Sequence, residues 1–256
     1  MATALITGAS SGIGLELAKI HAQKGGNLVL VARNLEILET LKQELEAKHK
    51  ISVYVIGKDL SKIDAAMEVH SELLEKNIQI DYLINNAGFG DFGMFVETEW
   101  EKEERMINLN ITCLTQFSKI YAKEMVKRKS GRIMNLASTA AFQSGPTMAV
   151  YFATKAYVLS LSEAVDNEVR SFGVTVTSLC PGPTVSGFKA AADMENSALF
   201  KSKNLPTAKD VAEYGYKAML KGKPVAIHGF LNYILANSVR FVPRQWAVKI
   251  VRKMQS

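Results

Sequence analysis

Tyr151 and Lys155 stand four residues apart, and Ser138 lies thirteen residues before the tyrosine. On a helix, positions i and i+4 share a face, so the phenol and the ammonium would point into one space. A phenol titrates near about 10 in water, and a fixed cation beside it favours the phenolate, moving the group toward acid–base work at neutral pH. A serine hydroxyl within reach could then hold a substrate oxygen against the phenol. The same spacing also describes an ordinary exposed helix pair, so the chemistry depends on where the surrounding elements place it.

Strand-like and helical stretches alternate along the chain, which predicts one doubly wound α/β domain over residues 1–256 with a mainly parallel sheet. The first strand, 2–7, runs into Gly8-Ala9-Ser10-Ser11-Gly12-Ile13-Gly14 ahead of a helical pattern over 15–24. Strand, glycine turn and helix in that order let backbone amides cradle a pyrophosphate, although glycine turns also occur without a ligand. The second strand, 27–32, ends at Arg33. In a dinucleotide fold an acid there bonds the ribose 2'-hydroxyl, whereas an arginine suits a 2'-phosphate, so Arg33 favours NADP(H) over NAD(H); a solvated residue leading into the helix over 35–48 is the other reading. A third strand, 51–56, leads to Asp59-Leu60, where Asp59 could accept from an adenine amino group or cap a turn. Ser61 is the expected N-cap of a helix reaching about Glu75.

A short strand at 82–84 runs into Asn85-Asn86-Ala87-Gly88, small and polar enough for the backbone to lie close to a flat ligand. From Glu99 a long helical region carries Asn108 and Asn110, with Phe117, Ile120 and Met125 as a packing stripe. The strand at 132–136 delivers Ser138 to the edge where open parallel sheets bind ligands. Tyr151 opens a helix to about Phe172, and the strand at 174–179 is stopped by Cys180-Pro181-Gly182-Pro183-Thr184. Residues 185–203 lack a clean period and suit a mobile lid. A helix over 208–221 and a strand at 224–227 follow. From Asn237, Arg240, Arg244, Lys249, Arg252 and Lys253 alternate with Phe241, Trp246, Ile250, Val251 and Met254. Such a basic amphipathic tail could meet an anionic membrane surface or a partner, or dock on its own domain or a sister subunit.

Composition is that of a globular chain, 48% hydrophobic and 22% charged with net charge +6, and its charges are scattered until the C-terminus. That pattern implies attraction to anionic ligands rather than nucleic acid. Cys113 and Cys180 form no zinc-type spacing with His21, His49, His70 or His228, so neither a disulfide framework nor a structural metal is expected and the setting reads as reducing and cytoplasmic. The opening strand leaves no room for a signal peptide, and the apolar stretch 224–236 is interrupted by His228 and Asn232, so secretion and membrane spanning are not expected.

Taken in order and spacing, Thr7-Gly8-x-x-x-Gly12-Ile13-Gly14, Asp59, Asn85-Asn86-Ala87-Gly88, Ser138, Tyr151-x-x-x-Lys155 and Pro181-Gly182 resemble the short-chain dehydrogenase/reductase family, in its compact single-domain branch. From Val225 onward the resemblance is looser, to bacterial-type short-chain reductases noted only as general oxidoreductases. It implies a Rossmann-type three-layer sandwich on a seven-stranded sheet. It also implies an NADP(H)-dependent enzyme interconverting a carbonyl and a secondary alcohol, the alternative being an NADPH-binding sensor or scaffold without turnover. By the same resemblance Tyr151 is the acid/base, Lys155 stabilises the phenolate and bonds the nicotinamide ribose, and Ser138 orients the substrate oxygen. Asn110 completes a proton relay, with Asn108 the competing candidate. Gly8, Ser10, Ser11, Gly12, Ile13 and Gly14 are implied at the pyrophosphate and ribose. Asp59, Leu60, Asn86, Ala87 and Gly88 border the adenosine half, and Pro181, Gly182 and Thr184 the nicotinamide. NADPH-using relatives often carry a basic residue where Ser11 stands, which leaves the 2'-phosphate to Arg33. A homodimer or homotetramer is implied, built on the helices of Phe117 and Tyr157. Met194, Leu199 and Phe200 in the lid, with Phe89, Phe92, Phe142 and Met148, point to an apolar substrate, or else cover the nicotinamide or pack a subunit contact.

Overall fold

The computed structural model describes residues 1–185 and 205–255. Seven strands form one sheet: β1 (Thr3–Thr7), β2 (Asn27–Ala32), β3 (Val53–Gly57), β4 (Tyr82–Asn85), β5 (Gly131–Leu136), β6 (Val174–Cys180) and β7 (Val225–Ile227). Their order is β3-β2-β1-β4-β5-β6-β7, and every neighbouring pair is parallel. The strands read as apolar runs because both faces are covered, which is the rule for parallel sheets. Side chains alternate between two cores. Ala4, Ile6, Leu28 and Leu30 point into one; Leu5, Val29 and Val31 point into the other.

Three helices cover the first face: α1 (Gly12–Gln23), α2 (Leu35–His49) and α7 (Ala208–Leu220), which contribute Leu17, Leu38 and Tyr216. The opposite face is covered by α3 (Ala65–Glu75) and α5 (Leu114–Arg128) through Leu73, Phe117 and Tyr121, and by α6 (Ala149–Val169) through Val165 and Val169. A shorter helix, α4 (Trp100–Ile107), precedes α5, and two helices follow β7: α8 (Phe230–Ser238) and α9 (Arg244–Gln255).

Two expectations change. Ser61 does not cap α3: its N–H and hydroxyl both donate to Asp59 Oδ1, at 3.0 and 2.7 Å, forming a turn that delays the helix to Ala65. The long helical region is interrupted, because residues Asn108–Cys113 wind as a π-helical turn between α4 and α5. On the two helices expected at a subunit contact, Phe117 of α5 is buried in its own core, whereas Tyr157 of α6 is half-exposed and bonds Thr115 at 3.1 Å. The expected strand at 224–227 forms as β7, and the rest of the apolar run after it forms α8. The proposed lid, with Met194, Leu199 and Phe200, lies outside the described residues except for Val185.

A buried polar chain ties the middle of the sheet to α5 and α6. Asn85 Nδ2 donates to Ser118 Oγ (3.1 Å) and to Asn135 Oδ1 (2.8 Å), and Asn135 Nδ2 donates to Ser162 Oγ (3.0 Å). Such a chain fixes which helix packs where, since a shifted register would strand these groups without partners. Asn135→Ala should therefore lower stability in urea denaturation by about 2–3 kcal/mol, while Thr115→Ala at the surface should cost about 0.5 kcal/mol or less.

Candidate active site

The sheet reverses its winding between β1 and β4, and ligands of open parallel sheets bind outside the strand ends at that point. A cleft of about 910 Å³ opens there, walled by the segments that follow β1 to β6. Its floor is a staple between two strand ends. Thr7 Oγ1 accepts from the N–H groups of Asn86 and Ala87 (3.0 and 2.9 Å), and Asn86 Nδ2 donates to the carbonyls of Thr7 (2.9 Å) and Gly8 (3.1 Å). Asn86 therefore holds the glycine turn in place. A Cβ on Gly14 would stand 2.3 Å from Gly8 O, so the turn closes on α1 only with glycine there, and Gly12 takes φ +57° to start the helix. No side chain caps the start of α1, and Gly12 and Ile13 line the cleft, so the free amides of the first turn are open to an anion.

Arg33 projects at the opposite wall, exposed and beside Asp59, and Asn34 rather than Arg33 caps α2 by accepting from Ile37 N–H at 3.1 Å. Asp59 spends one carboxylate oxygen on the Ser61 turn, and its other oxygen stands 4.0 Å from Arg105. The Ser61 bonds and the charges of Arg105 and Arg33 outweigh partial burial and hold its carboxyl below the usual range. Arg105 and Lys58 also line this end of the cleft, although neither carries a pattern in the sequence that marks it. They reach the site because α4 and the end of β3 fold toward each other, which no local spacing reveals. The glycine turn, the open amides and this cationic wall fit a dinucleotide with a 2'-phosphate.

At the other end, α6 brings Tyr151 and Lys155 under Ser138. Tyr151 and Lys155 are buried, and Lys155 Nζ stands 5.8 Å from the Tyr151 ring centroid and donates to Leu136 O at 2.8 Å. Ser138 Oγ accepts from Ala140 N–H (3.1 Å) and donates to Pro181 O (3.4 Å), which ties the ends of β5 and β6 together. Asn110 sits behind Gly88: its Nδ2 donates to Phe89 O (3.0 Å) and Thr154 Oγ1 (3.1 Å), and its Oδ1 accepts from Phe89 N–H (3.3 Å). A Cβ at Gly88 would come within 2.9 Å of Asn110 Oδ1 and 3.4 Å of Lys155 Nζ. The residues that the sequence assigns to catalysis and cofactor binding line the cleft except Gly14, Asn110 and its competitor Asn108.

Charge in this corner departs from the expectation of a depressed phenol. Burial pushes Tyr151 up to about 12, with a hydrogen bond to Ser138 pulling the other way, and burial brings Lys155 down to about 8. Desolvation disfavours both charged forms. The wall beyond Tyr151 is apolar: Phe89, Met148 and Phe152 face Leu231 and Leu235 of α8 and Val251 of α9. Phe92 packs behind this wall, whereas Phe142 joins the cluster of Leu114, Ala137 and Val158. The C-terminal contributors have one sequence signal, the i, i+4 spacing of Leu231 and Leu235, which is visible only once that stretch is read as a helix.

An open parallel sheet with this cleft and this buried tyrosine–lysine pair has the architecture of an α/β oxidoreductase. The short chain dehydrogenase family model matches residues 2–196, and the chain belongs to that family. An uncharacterized oxidoreductase of Staphylococcus epidermidis is 30% identical over 205 residues, spanning 80% of this chain and 87% of that one. The very-long-chain 3-oxoacyl-CoA reductase-B of Danio rerio is 31% identical over 182 residues, 70% of this chain and 58% of its own length. Among solved structures, a short-chain dehydrogenase from Sphingobium yanoikuyae in complex with NADPH matches with TM-score 0.84 at 30% identity, covering 94% of both chains. The bulky-bulky ketone specific alcohol dehydrogenase from Comamonas testosteroni matches with TM-score 0.80 at 30% identity, covering 94% of this chain and 92% of that one.

The lysine shift has a measurable sign. Between pH 8 and 10.5 an unfolded lysine keeps a proton that folded Lys155 has released, so its unfavourable contribution is complete below about pH 8 and fades as pH rises. Tyr151 acts oppositely from pH 10 to about 12, where the folded phenol keeps a proton that the unfolded one loses. The stability of the wild type relative to Lys155→Met should therefore rise by roughly 2–3 kcal/mol between about pH 8 and pH 10 in denaturant titrations. A constant difference would mean that Lys155 titrates as an exposed lysine does.

Proposed function

We propose that the protein is an NADP(H)-dependent oxidoreductase that interconverts a carbonyl and a secondary alcohol, with Tyr151 as the acid/base. The observation that carries this reading is the convergence of Tyr151, Ser138 and Lys155 at the C-terminal ends of β5 and β6, in one cleft with the glycine turn. NADPH bound along that turn would supply the hydride. The similarity to the NADPH complex from Sphingobium yanoikuyae supports this cofactor, and so do Arg33 and Arg105 on the wall beside Asp59.

Each residue then has a physical task. At neutral pH Tyr151 is the protonated phenol, because burial raises its affinity for the proton; it is charged with the proton that a carbonyl oxygen must receive. Ser138 has its hydroxyl oriented by Ala140 N–H and can hold that oxygen next to the phenol. Lys155, held by Leu136 O, keeps its own proton below about pH 8, so a cation stands by as the phenol gives its proton up. Asn110 is the residue that would complete a proton relay from Lys155. Its side chain is committed to Phe89 and Thr154, which sets how close Gly88 lies to Lys155. The apolar wall of Phe89, Met148 and Phe152 excludes water and favours a hydrophobic substrate. The bulky-ketone and long-chain oxoacyl names of two relatives agree with that choice of substrate class.

A reductase assay following NADPH oxidation across bulky ketones, aldehydes, diketones and acyl thioesters tests the activity. Turnover is expected with the larger apolar ketones, and cofactor binding with no turnover on any of them would leave a sensor in place of an enzyme. Tyr151→Phe should lower kcat by roughly 10²–10⁴-fold while NADPH affinity stays within about twofold. Arg33→Ala should weaken NADPH about tenfold or more while NADH changes little, since only the former presents a phosphate to lose. Equal losses would assign Arg33 to the loop alone.

A further inference from the structure

Charge along this chain is divided more sharply than its total suggests. Eight of the 31 basic residues and none of the 25 acids follow Glu213. The preceding part therefore holds 23 basic residues against 25 acids, net −2, and the last 43 residues carry +8. The family match ends at residue 196, so α7, β7, α8 and α9 lie beyond it.

The same segment exposes apolar side chains that a folded domain ordinarily covers. Phe230 is 81% exposed and Leu231 67%, and Tyr233, Ile234 and Leu235 are also open to solvent. After α8, Phe241 is 88% exposed and Trp246 65%, with Ile250 beyond them. α9 is docked on its own domain, but only by one side. Ala247 is buried and Val251 packs with the cluster of Met148, Tyr151 and Phe152, whereas Trp246 and Ile250 lie a turn apart on the outward flank. Lys249 and Lys253 are exposed beside that flank. Aromatic and aliphatic side chains bordered by lysines and arginines, with no acid among them, are the composition of a helix lying in the headgroup layer of a bilayer.

We infer that α8, the turn through Phe241, and α9 form a platform that seats the protein on an anionic phospholipid surface. Two observations favour lipid over a second copy of the chain. A two-fold contact through this face would set two strips of like charge against each other, which is repulsive, whereas an anionic headgroup layer complements both the lysines and the apolar side chains. The inner side of α8 lines the cleft with Leu231 and Leu235 beside Asn232, so the apolar side chains of this helix run from the cleft rim outward to Phe230 and Ile234. Attachment is peripheral, since no described helix is long and apolar enough to cross a membrane. The inference does not depend on the proposed reaction, because its readout is binding.

Flotation of the full chain with phosphatidylcholine vesicles, with and without phosphatidylglycerol, tests it. The wild type should float with the anionic vesicles, remain largely in solution with phosphatidylcholine alone, and detach as salt rises. Lys249→Glu with Lys253→Glu should lower partitioning at least about twentyfold, at roughly fivefold for each lysine charge removed. Phe241→Ser with Trp246→Ser should also lower it severalfold, and neither pair lines the cleft. Melting temperatures of the variants check that they fold, and the wild-type comparison between the two vesicle types needs no variant. Recovery of the wild type in solution with both vesicle types would overturn the inference. So would unchanged binding by folded variants. Light scattering supplies a third outcome: a lipid-free wild-type dimer that Phe241→Ser with Trp246→Ser converts to monomer would give this face to a second copy instead.

Discussion

A lysine buried with one carbonyl to hold it is the constraint around which this site is built. Removing an ammonium from water costs several kcal/mol, and here burial brings Lys155 down to about 8. What keeps the cation in place at neutral pH is the register of α6 against β5, which delivers Leu136 O to 2.8 Å from Nζ. That register is secured further along both elements by Asn135 and Ser162, one on the strand and one on the helix, bonded at 3.0 Å in the interior. The polar chain in the core and the charged group in the cleft are thus parts of a single alignment. The π-helical turn at Asn108–Cys113 belongs to it as well, because the extra residue it accommodates lets Asn110 reach the backbone of Phe89 while α5 keeps its buried face.

The pyrophosphate end follows a different logic. There nothing is charged in the turn itself; the arrangement works by leaving amides unsatisfied and making sure no side chain satisfies them. Asn86 Nδ2 donates to the carbonyls of Thr7 and Gly8, the N–H groups of Asn86 and Ala87 go to Thr7, and no side chain accepts from the first turn of α1. The carbonyls are consumed internally and the helix N-terminus of α1 stays open. Attraction for an anion at one end and a proton-bearing phenol at the other therefore arise from opposite uses of burial: exposure of donors in the first case, desolvation of an acid and a base in the second.

Much of this was legible in the residues. Strand alternation between the two cores could be read directly, since Leu5 and Ile6 must face opposite sides of a sheet. Most candidate residues fall around one cleft because they stand just past the end of a strand, and strand ends are easy to recognise by glycine, proline and asparagine; Tyr151 and Lys155 come in on α6. What could not be read depends on distance in sequence. Arg105 comes to Asp59 across 46 residues, and no spacing rule connects them. Ser61 looked like a cap and became a turn because Asp59, two residues earlier, captures its donors. The upward shift of the phenol was not legible for a related reason: adjacency of Lys155 is visible in the sequence, but burial is a property of the whole fold.

α8 illustrates how site and surface come to share an element. Its Asn232 lies so close to the loop after β6 that a Cβ on Gly182 would stand 2.6 Å from Nδ2, and Ala236 is buried against the body. Those two contacts fix the helix with Leu231 and Leu235 toward the cleft, which forces Phe230 and Ile234 outward on the other side. A helix that is apolar on both sides cannot be satisfied by one packing surface. Leaving a large aliphatic or aromatic side chain in water forgoes about 1.5–3 kcal/mol of burial, and several do so here. Any substrate that is itself apolar meets the same helix from within. The cleft therefore has an apolar approach whose outer face is built from the residues that most need covering, so that what covers them also determines where the approach opens.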